Sequence, residues 1–163
     1  MNKNPINLAN FAVKKYKTRE PFQIAKEKNV ILVYATLVDI RGFYQYFQRQ
    51  HIICVDENLS YQQKKFVCAH ELGHMMMHKS SNTVYMDTQT FFNTNKFKTE
   101  ANTFAVNLLI PGETIMEIID NQNCTLEYMS RMLGYNQKLI ELRMKINPAY
   151  DIVANRLKEI MSP

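Results

Sequence analysis

The string His70-Glu71-Leu72-Gly73-His74 is the part of the chain whose residue types and spacing are best suited to chemistry. In an α-helix, residues four positions apart lie on one face, about 6 Å apart along the axis, so both imidazoles can bind one tetrahedral metal ion. Glu71 is rotated by about 100° from His70 and can reach a water molecule rather than the metal. Zinc would lower the pKa of that water, and Glu71 would accept its proton. The pattern predicts metal-assisted amide hydrolysis.

A catalytic zinc ion usually has three protein ligands, so the pattern leaves one ligand to be found. The long metzincin pattern would need glycine at position 77 and histidine at position 80, where the chain has Met77 and Ser80. A carboxylate from a following helix is the remaining common choice. Glu100 fits best, because we expect it in the first turn of the next strongly apolar helix, and Glu113 and Asp87 are the alternatives. The competing interpretation of Glu100 is an acid that complements a helix N-terminus.

His78 continues the four-residue spacing of the motif histidines, but we do not assign it to the metal site. His70 and His78 would lie about 12 Å apart along the helix axis. A rival pair of His74 and His78 would place Met75 where a glutamate is needed. We therefore interpret His78 as a neighbouring or surface residue. The alternative for the whole motif, two core histidines bonded to backbone, leaves a buried Glu71 unexplained.

Local signals predict the elements that position the motif. Ser60 and Gln63 form a capping box, which begins a helix that runs to about Lys79 and is apolar nearly all round, as a buried helix would be. Before it, the pattern predicts a short helix at residues 21–28, a buried strand at 30–34 and a hairpin of two strands at 42–48 and 51–55. After it, we expect a loop or irregular strands at 80–95, helices at about 99–110 and 112–119, and two helices capped by Thr125 and Asn136.

Length and composition favour one folded unit. The 163 residues suit a single domain over residues 1–163, with a core at about 20–147 and a helical extension at 148–163. The longest apolar stretch, residues 30–38, is far short of the roughly 20 residues that cross a bilayer. The lysine-rich N-terminus has no secretory pattern. We therefore expect a cytoplasmic protein without a membrane segment.

The charge and the cysteines add little to this interpretation. A net charge of +5, partly from lysines before residue 30, is interpreted as a solvated surface rather than a binding face. Cys54, Cys68 and Cys124 are odd in number and form no C-x-x-C pair. They are predicted to be reduced, partly buried thiols rather than part of a disulfide framework.

Several segments together resemble the ImmA/IrrE metallopeptidases, over roughly residues 30–144. They are the predicted hairpin, Asp56-Glu57-Asn58-Leu59, Ala69-His70-Glu71-Leu72-Gly73-His74, and Glu100-Ala101-Asn102-Thr103-Phe104-Ala105 leading to Leu108-Leu109-Ile110-Pro111. The resemblance implies an α+β, zincin-like fold with a gluzincin-like site, in which His70, His74 and Glu100 bind zinc and Glu71 is the base. It also implies that the substrate is a helix-turn-helix repressor of a phage or mobile element. Unregulated cleavage would keep the repressed genes on, so we expect a signal, a low protease level or an activating protein to control activity.

Two other function classes compete with the enzyme. The helices expected after Thr125 and Asn136 could form a helix-turn-helix that offers Gln137, Lys138 and Arg143 to DNA. Packing of these helices on the catalytic core explains their apolar residues more simply, so we do not expect direct DNA binding. A metal-binding regulatory module that sequesters a repressor without cutting it is the second alternative.

Overall fold

The computed structural model describes residues 4–77, 94–120 and 125–146. His78, Asp87, Cys124 and the expected extension at 148–163 lie outside these residues. The chain groups into two compact units, residues 1–109 and 110–163, and the expectation of a single domain stays a prediction.

Three strands and seven helices make up the described residues, so the architecture is α+β. The first unit contains α1 (Pro5–Tyr16), α2 (Pro21–Glu27), β1 (Val30–Ala35), β2 (Gly42–Phe47), β3 (Gln50–Asp56), α3 (Tyr61–Met77) and α4 (Thr94–Leu109). The second unit contains α5 (Gly112–Asp120), α6 (Leu126–Leu133) and α7 (Gln137–Ile146). None of the described helices is long and apolar enough to cross a membrane.

The three strands form one small mixed sheet in the order β1-β3-β2. β2 and β3 are antiparallel, as the hairpin prediction requires, whereas β1 runs parallel to β3. In the central register, Ile53 lies between Leu32 and Tyr44, and Ile53 and Tyr44 are fully buried. Both belong to the core cluster that includes residues of α3. This core holds the sheet against the helix that carries the histidines.

The predicted capping box begins α3. The backbone N–H of Ser60 donates to Oε1 of Gln63 at 2.9 Å, and the N–H of Gln63 donates to Oγ of Ser60 at 3.3 Å. Nine residues of α3 are buried, and the helix packs against α2, β2, β3 and α4. Because it has neighbours on several sides, its sequence is apolar nearly all round.

The start of α4 corrects one expectation. The loop was expected to continue to Asn95 and the helix to begin near Thr99, but α4 begins at Thr94. No proline or glycine interrupts residues 94–99, so the helix extends beyond the stretch that shows an apolar period. Glu100 therefore does not lie in the first turn of α4, which contains no acidic residue. The helix-dipole interpretation of Glu100 loses its basis, since that effect is confined to the first turn.

Helix α1 was not expected from the sequence. Oδ1 of Asn4 accepts from the N–H groups of Ile6 and Asn7, and Pro5 occupies the first turn. Ala9 and Ala12 are fully buried, and the helix packs on α4. An asparagine cap followed by proline is a local signal for the start of a helix. This signal lies in a lysine-rich segment, for which no helix was predicted.

The helices α6 and α7 of the second unit begin where the local sequence signals predict. Oγ1 of Thr125 caps the start of α6, and the C-cap residue Gly134 adopts the left-handed conformation, with φ of 72°. Oδ1 of Asn136 accepts from the N–H of Leu139 at the start of α7. The Nε–H of Arg143, a buried side chain of α7, donates to the Ile110 carbonyl at 2.8 Å.

Candidate metal centre

The two histidines of the motif face each other on one side of α3. Nε2 of His70 and Nε2 of His74 are 3.0 Å apart, and the ring centroids are 4.7 Å apart at an interplanar angle of 75°. Two nitrogens that bind one tetrahedral zinc ion at about 2.0–2.1 Å lie about 3.3 Å from each other. The donor pair therefore fits a metal ion with a shift of a few tenths of an ångström.

Asn102 of α4 orients one of these rings. Its Oδ1 lies 2.8 Å from Nδ1 of His70. An amide oxygen can only accept, so Nδ1 carries the proton and the lone pair of the neutral ring is on Nε2. Such a contact fixes the ring orientation and the tautomer that binds metal. Asn102 was not predicted as a site residue, although its segment carries the family resemblance.

Gly73, between the motif glutamate and the second histidine, allows α4 to approach α3. A Cβ atom at this position would lie 3.1 Å from Cδ1 of Phe104 and 3.3 Å from Cα of Ala101. Both distances are tighter than ordinary contact, and both neighbours are fully buried. The turn of α4 that contains Glu100 and Asn102 is therefore held beside the motif by direct helix packing.

Glu71 lines a cavity of about 290 Å³, which we call the Glu71 cavity. Its other lining residues come from the segment 39–42 at the start of β2, from Phe66, Val67 and His70 of α3, and from Asn102 of α4. Glu71 itself is only 6% exposed. A buried carboxylate and a histidine thus reach one small space that a substrate group can enter. Asp39 and Arg41 were not predicted as site residues, because only the folded sheet brings them to this helix.

Residues 18–158 match the peptidase family M78, described as the IrrE N-terminal-like domain. The chain belongs to this family. It is 37% identical over 147 residues to "Uncharacterized immunity region protein 2" of Bacillus phage phi105, an alignment that covers 87% of this chain and 92% of that protein. It is 28% identical over 109 residues to "Metallopeptidase ImmA" of Bacillus subtilis (strain 168), covering 66% of this chain and 63% of ImmA. The predicted family is confirmed. Membership of this family supports a metallopeptidase activity.

A solved structure shares the fold of this family member. A Mycobacterium tuberculosis transcriptional regulator superimposes with a TM-score of 0.57 at 16% identity. The match covers 85% of this chain and 46% of that chain. At this identity the likeness concerns the fold alone.

The third ligand of the family site stays a prediction. Glu100 is half-buried and precedes Ala101, whose Cα lies against Gly73. The described residues contain no group of three or more His, Cys, Asp or Glu side chains arranged to hold a metal. Of the alternatives, Glu113 belongs to the second unit and Asp87 lies outside the described residues.

The environment of Cys68, two residues before His70, disfavours the thiolate form. Burial raises the pKa of the Cys68 thiol far above its usual range, and the Glu20 and Glu71 carboxylates raise this pKa further. Burial also raises the pKa of Cys54. Both cysteines are buried and free, as predicted, and both stay protonated at neutral pH. Neither is suited to nucleophilic attack, which requires the thiolate.

Proposed function

We propose that the chain is a zinc-dependent endopeptidase that cuts a helix-turn-helix transcriptional repressor and thereby derepresses genes of a phage or mobile element. The observation that carries the proposal is the pair of Nε2 atoms of His70 and His74, 3.0 Å apart, next to a buried Glu71 that lines a cavity. Family membership supports a metallopeptidase. The similarity to an immunity region protein of a phage supports the regulatory setting.

In this proposal His70, His74 and Glu100 hold the zinc ion and Glu71 is the catalytic base. When bound, zinc supplies a positive charge that acidifies water and polarises a carbonyl. The Glu71 carboxylate takes a proton from the attacking water and returns it to the amide nitrogen as the C–N bond breaks. Asn102 keeps the lone pair of His70 on Nε2, and Gly73 keeps α4 close enough for its side chains to take part.

The size of the Glu71 cavity limits which part of a protein substrate can enter. Gly42, the first residue of β2, is one of the residues that line this cavity. A cavity of about 290 Å³ has room for side chains but not for a folded domain. We therefore expect cleavage in a flexible linker or an exposed end of the repressor.

The deciding experiment co-expresses the protein with the repressor encoded beside its gene and follows the repressor by intact mass. The matched control is Glu71→Gln, which keeps the side-chain volume and the proposed ligands but removes the base. We expect two fragments with the wild-type protein and full-length repressor with the variant. A stable complex with intact repressor in both cases, with zinc bound and any activating protein present, would establish sequestration instead.

The structure favours the enzyme over direct DNA recognition. Of the three side chains considered for base contacts, Arg143 is buried and donates to the Ile110 carbonyl. Gln137 and Lys138 remain exposed on α7. Two exposed polar residues are a weak basis for sequence recognition, which usually depends on several base contacts and many phosphate contacts.

A further inference from the structure

We propose that Arg41 is a catalytic residue of this peptidase, which stabilises the negative charge that develops on the carbonyl oxygen of the substrate during hydrolysis. The inference rests on the proposed function, because it assigns a role within that reaction. It starts from the lining of the Glu71 cavity, where Arg41 lies together with His70 and Glu71.

Arg41 is the one lysine or arginine among the described residues that line the Glu71 cavity. The part of the chain that the structure describes offers its guanidinium no ion pair or hydrogen bond. Asp39 lines the same cavity, but within the described residues it forms no salt bridge with Arg41. An arginine always carries its charge and presents five donors. The lining of the Glu71 cavity thus includes a cation with unused donors as well as the residue that would activate water.

The backbone of Arg41 is held firmly relative to α3. Its carbonyl oxygen accepts from the N–H of Asp56 at 2.9 Å. A Cβ atom at the next residue, Gly42, would collide with Cγ1 of Val67 and would lie 2.7 Å from the Cys54 carbonyl oxygen. Val67 precedes Glu71 by four residues and therefore lies on the same face of α3. Close packing thus holds the backbone at residues 41–42 against Val67, which lies one helical turn from the base.

The loop before Arg41 has an uncommon conformation. Asp39 has a φ of 64°, a left-handed conformation that residues other than glycine seldom adopt. Residues held in such conformations are often found where a loop must present side chains to a site. Here the turn delivers residues 39–42 to the Glu71 cavity and leads directly into β2.

The reaction develops negative charge on the carbonyl oxygen of the substrate, which a positive charge at the Glu71 cavity would stabilise. As the oxygen of water bonds to the carbonyl carbon, the π electrons move onto the carbonyl oxygen and one water proton passes to Glu71. The same proton then goes to the amide nitrogen as the C–N bond breaks, which leaves a carboxylic acid and an amine. The acid, which carries the second water proton, then gives that proton to the amine or to solvent, so the products are a carboxylate and an ammonium group. A donor already aimed at the oxygen stabilises the transition state more than the ground state, so it raises kcat. An arginine that binds an acidic substrate side chain would instead lower KM.

The kinetic test compares Arg41→Ala, Arg41→Met and Arg41→Lys with Arg49→Ala, a control at another exposed arginine of the same unit. The substrate is a peptide spanning the cleavage site found with the repressor. We expect Arg41→Ala and Arg41→Met to lower kcat about 10²–10³-fold with little change in KM or zinc content. We expect Arg41→Lys to retain part of the rate and Arg49→Ala to match the wild type.

A binding test does not depend on turnover. A phosphinic analogue of the cleaved peptide carries a tetrahedral anionic group, and its affinity should fall in Arg41→Met by the same factor as kcat/KM. Affinity of the uncleaved peptide for Glu71→Gln should be the same with and without Arg41→Met. A change in KM alone, or equal loss of affinity for both peptides, would refute the assignment in favour of ground-state binding. Absence of cleavage by the wild type would refute the proposed function itself, whereas normal cleavage by Arg41→Met would refute only the role of Arg41.

Discussion

Two helices of this molecule each bury a charged side chain, in different surroundings. Glu71 of α3 is 6% exposed and Arg143 of α7 is 7% exposed. Arg143 donates to a backbone carbonyl within its own unit, which is how a structural charge is satisfied. Glu71 instead lines a cavity that His70 also reaches. Burial of a charge therefore does not mark function by itself, and we expect a functional buried charge to face an accessible cavity as well.

Glu71→Gln should have the largest effect on activity. The substitution removes the proton acceptor and keeps the shape, so we expect hydrolysis to fall by about 10²–10⁴-fold. Zinc content should not change, because Glu71 is not a proposed ligand. Thermal unfolding should shift little or upward, because a neutral amide is less costly to bury than a carboxylate. An active variant would show that Glu71, like Arg143, has a structural rather than a catalytic role.

Glu100→Ala should have the next largest effect, because it removes a proposed zinc ligand. We expect zinc affinity, measured by competition with a chelator, to fall by more than the roughly 10–100-fold typical of residues that only orient ligands. Glu113→Ala is the matched control and should bind zinc like the wild type. The reverse result would transfer the ligand role to Glu113. Equal affinity in all three proteins would remove both carboxylates from the site.

Asn102→Leu should weaken zinc by a smaller factor. The leucine keeps the volume but removes the oxygen that accepts from Nδ1 of His70, so about 10–100-fold loss of zinc affinity is expected. Asn102→Asp keeps the acceptor and should retain the affinity. The nitrogen chemical shifts of His70 in the metal-free protein give an independent measurement. They should report a proton mainly on Nδ1 in the wild type and a mixture of tautomers in Asn102→Leu.

The sequence correctly predicted the structural features that depend on residues close to one another along the chain. The Ser60–Gln63 capping box, the Thr125 and Asn136 caps and the hairpin are local features, and each lies where it was expected. The four-residue spacing of the histidines correctly placed both imidazoles on one face of a helix. These signals succeed because a few residues satisfy the free backbone groups or set the period.

Contacts between segments that are far apart in the sequence could not be predicted from local signals. Nothing local shows that β1 runs parallel to β3, that Gly42 packs on Val67, or that Asn102 contacts His70. These contacts join residues that are about 20–30 positions apart, and their partners are set by packing of the whole unit. For the same reason Arg41 was not identified, since only the completed sheet brings it to α3.

Arg143→Met should have the smallest effect on catalysis and completes the contrast with Glu71. Methionine fills much of the same space but cannot donate to the Ile110 carbonyl, so the free energy of unfolding should fall by about 1.5–3 kcal/mol. Lys145→Met on the same helix is the control, because Lys145 forms an exposed pair with Glu141, with Nζ and Oε1 2.7 Å apart. Loss of such a pair should cost about 0.3–0.5 kcal/mol. Urea unfolding measures both values, and cleavage by the folded fraction of each variant should equal that of the wild type. A loss of zinc or of kcat in folded Arg143→Met would show that a charge satisfied by the backbone also serves the reaction. Access to a cavity would then no longer distinguish the role of Glu71 from that of Arg143.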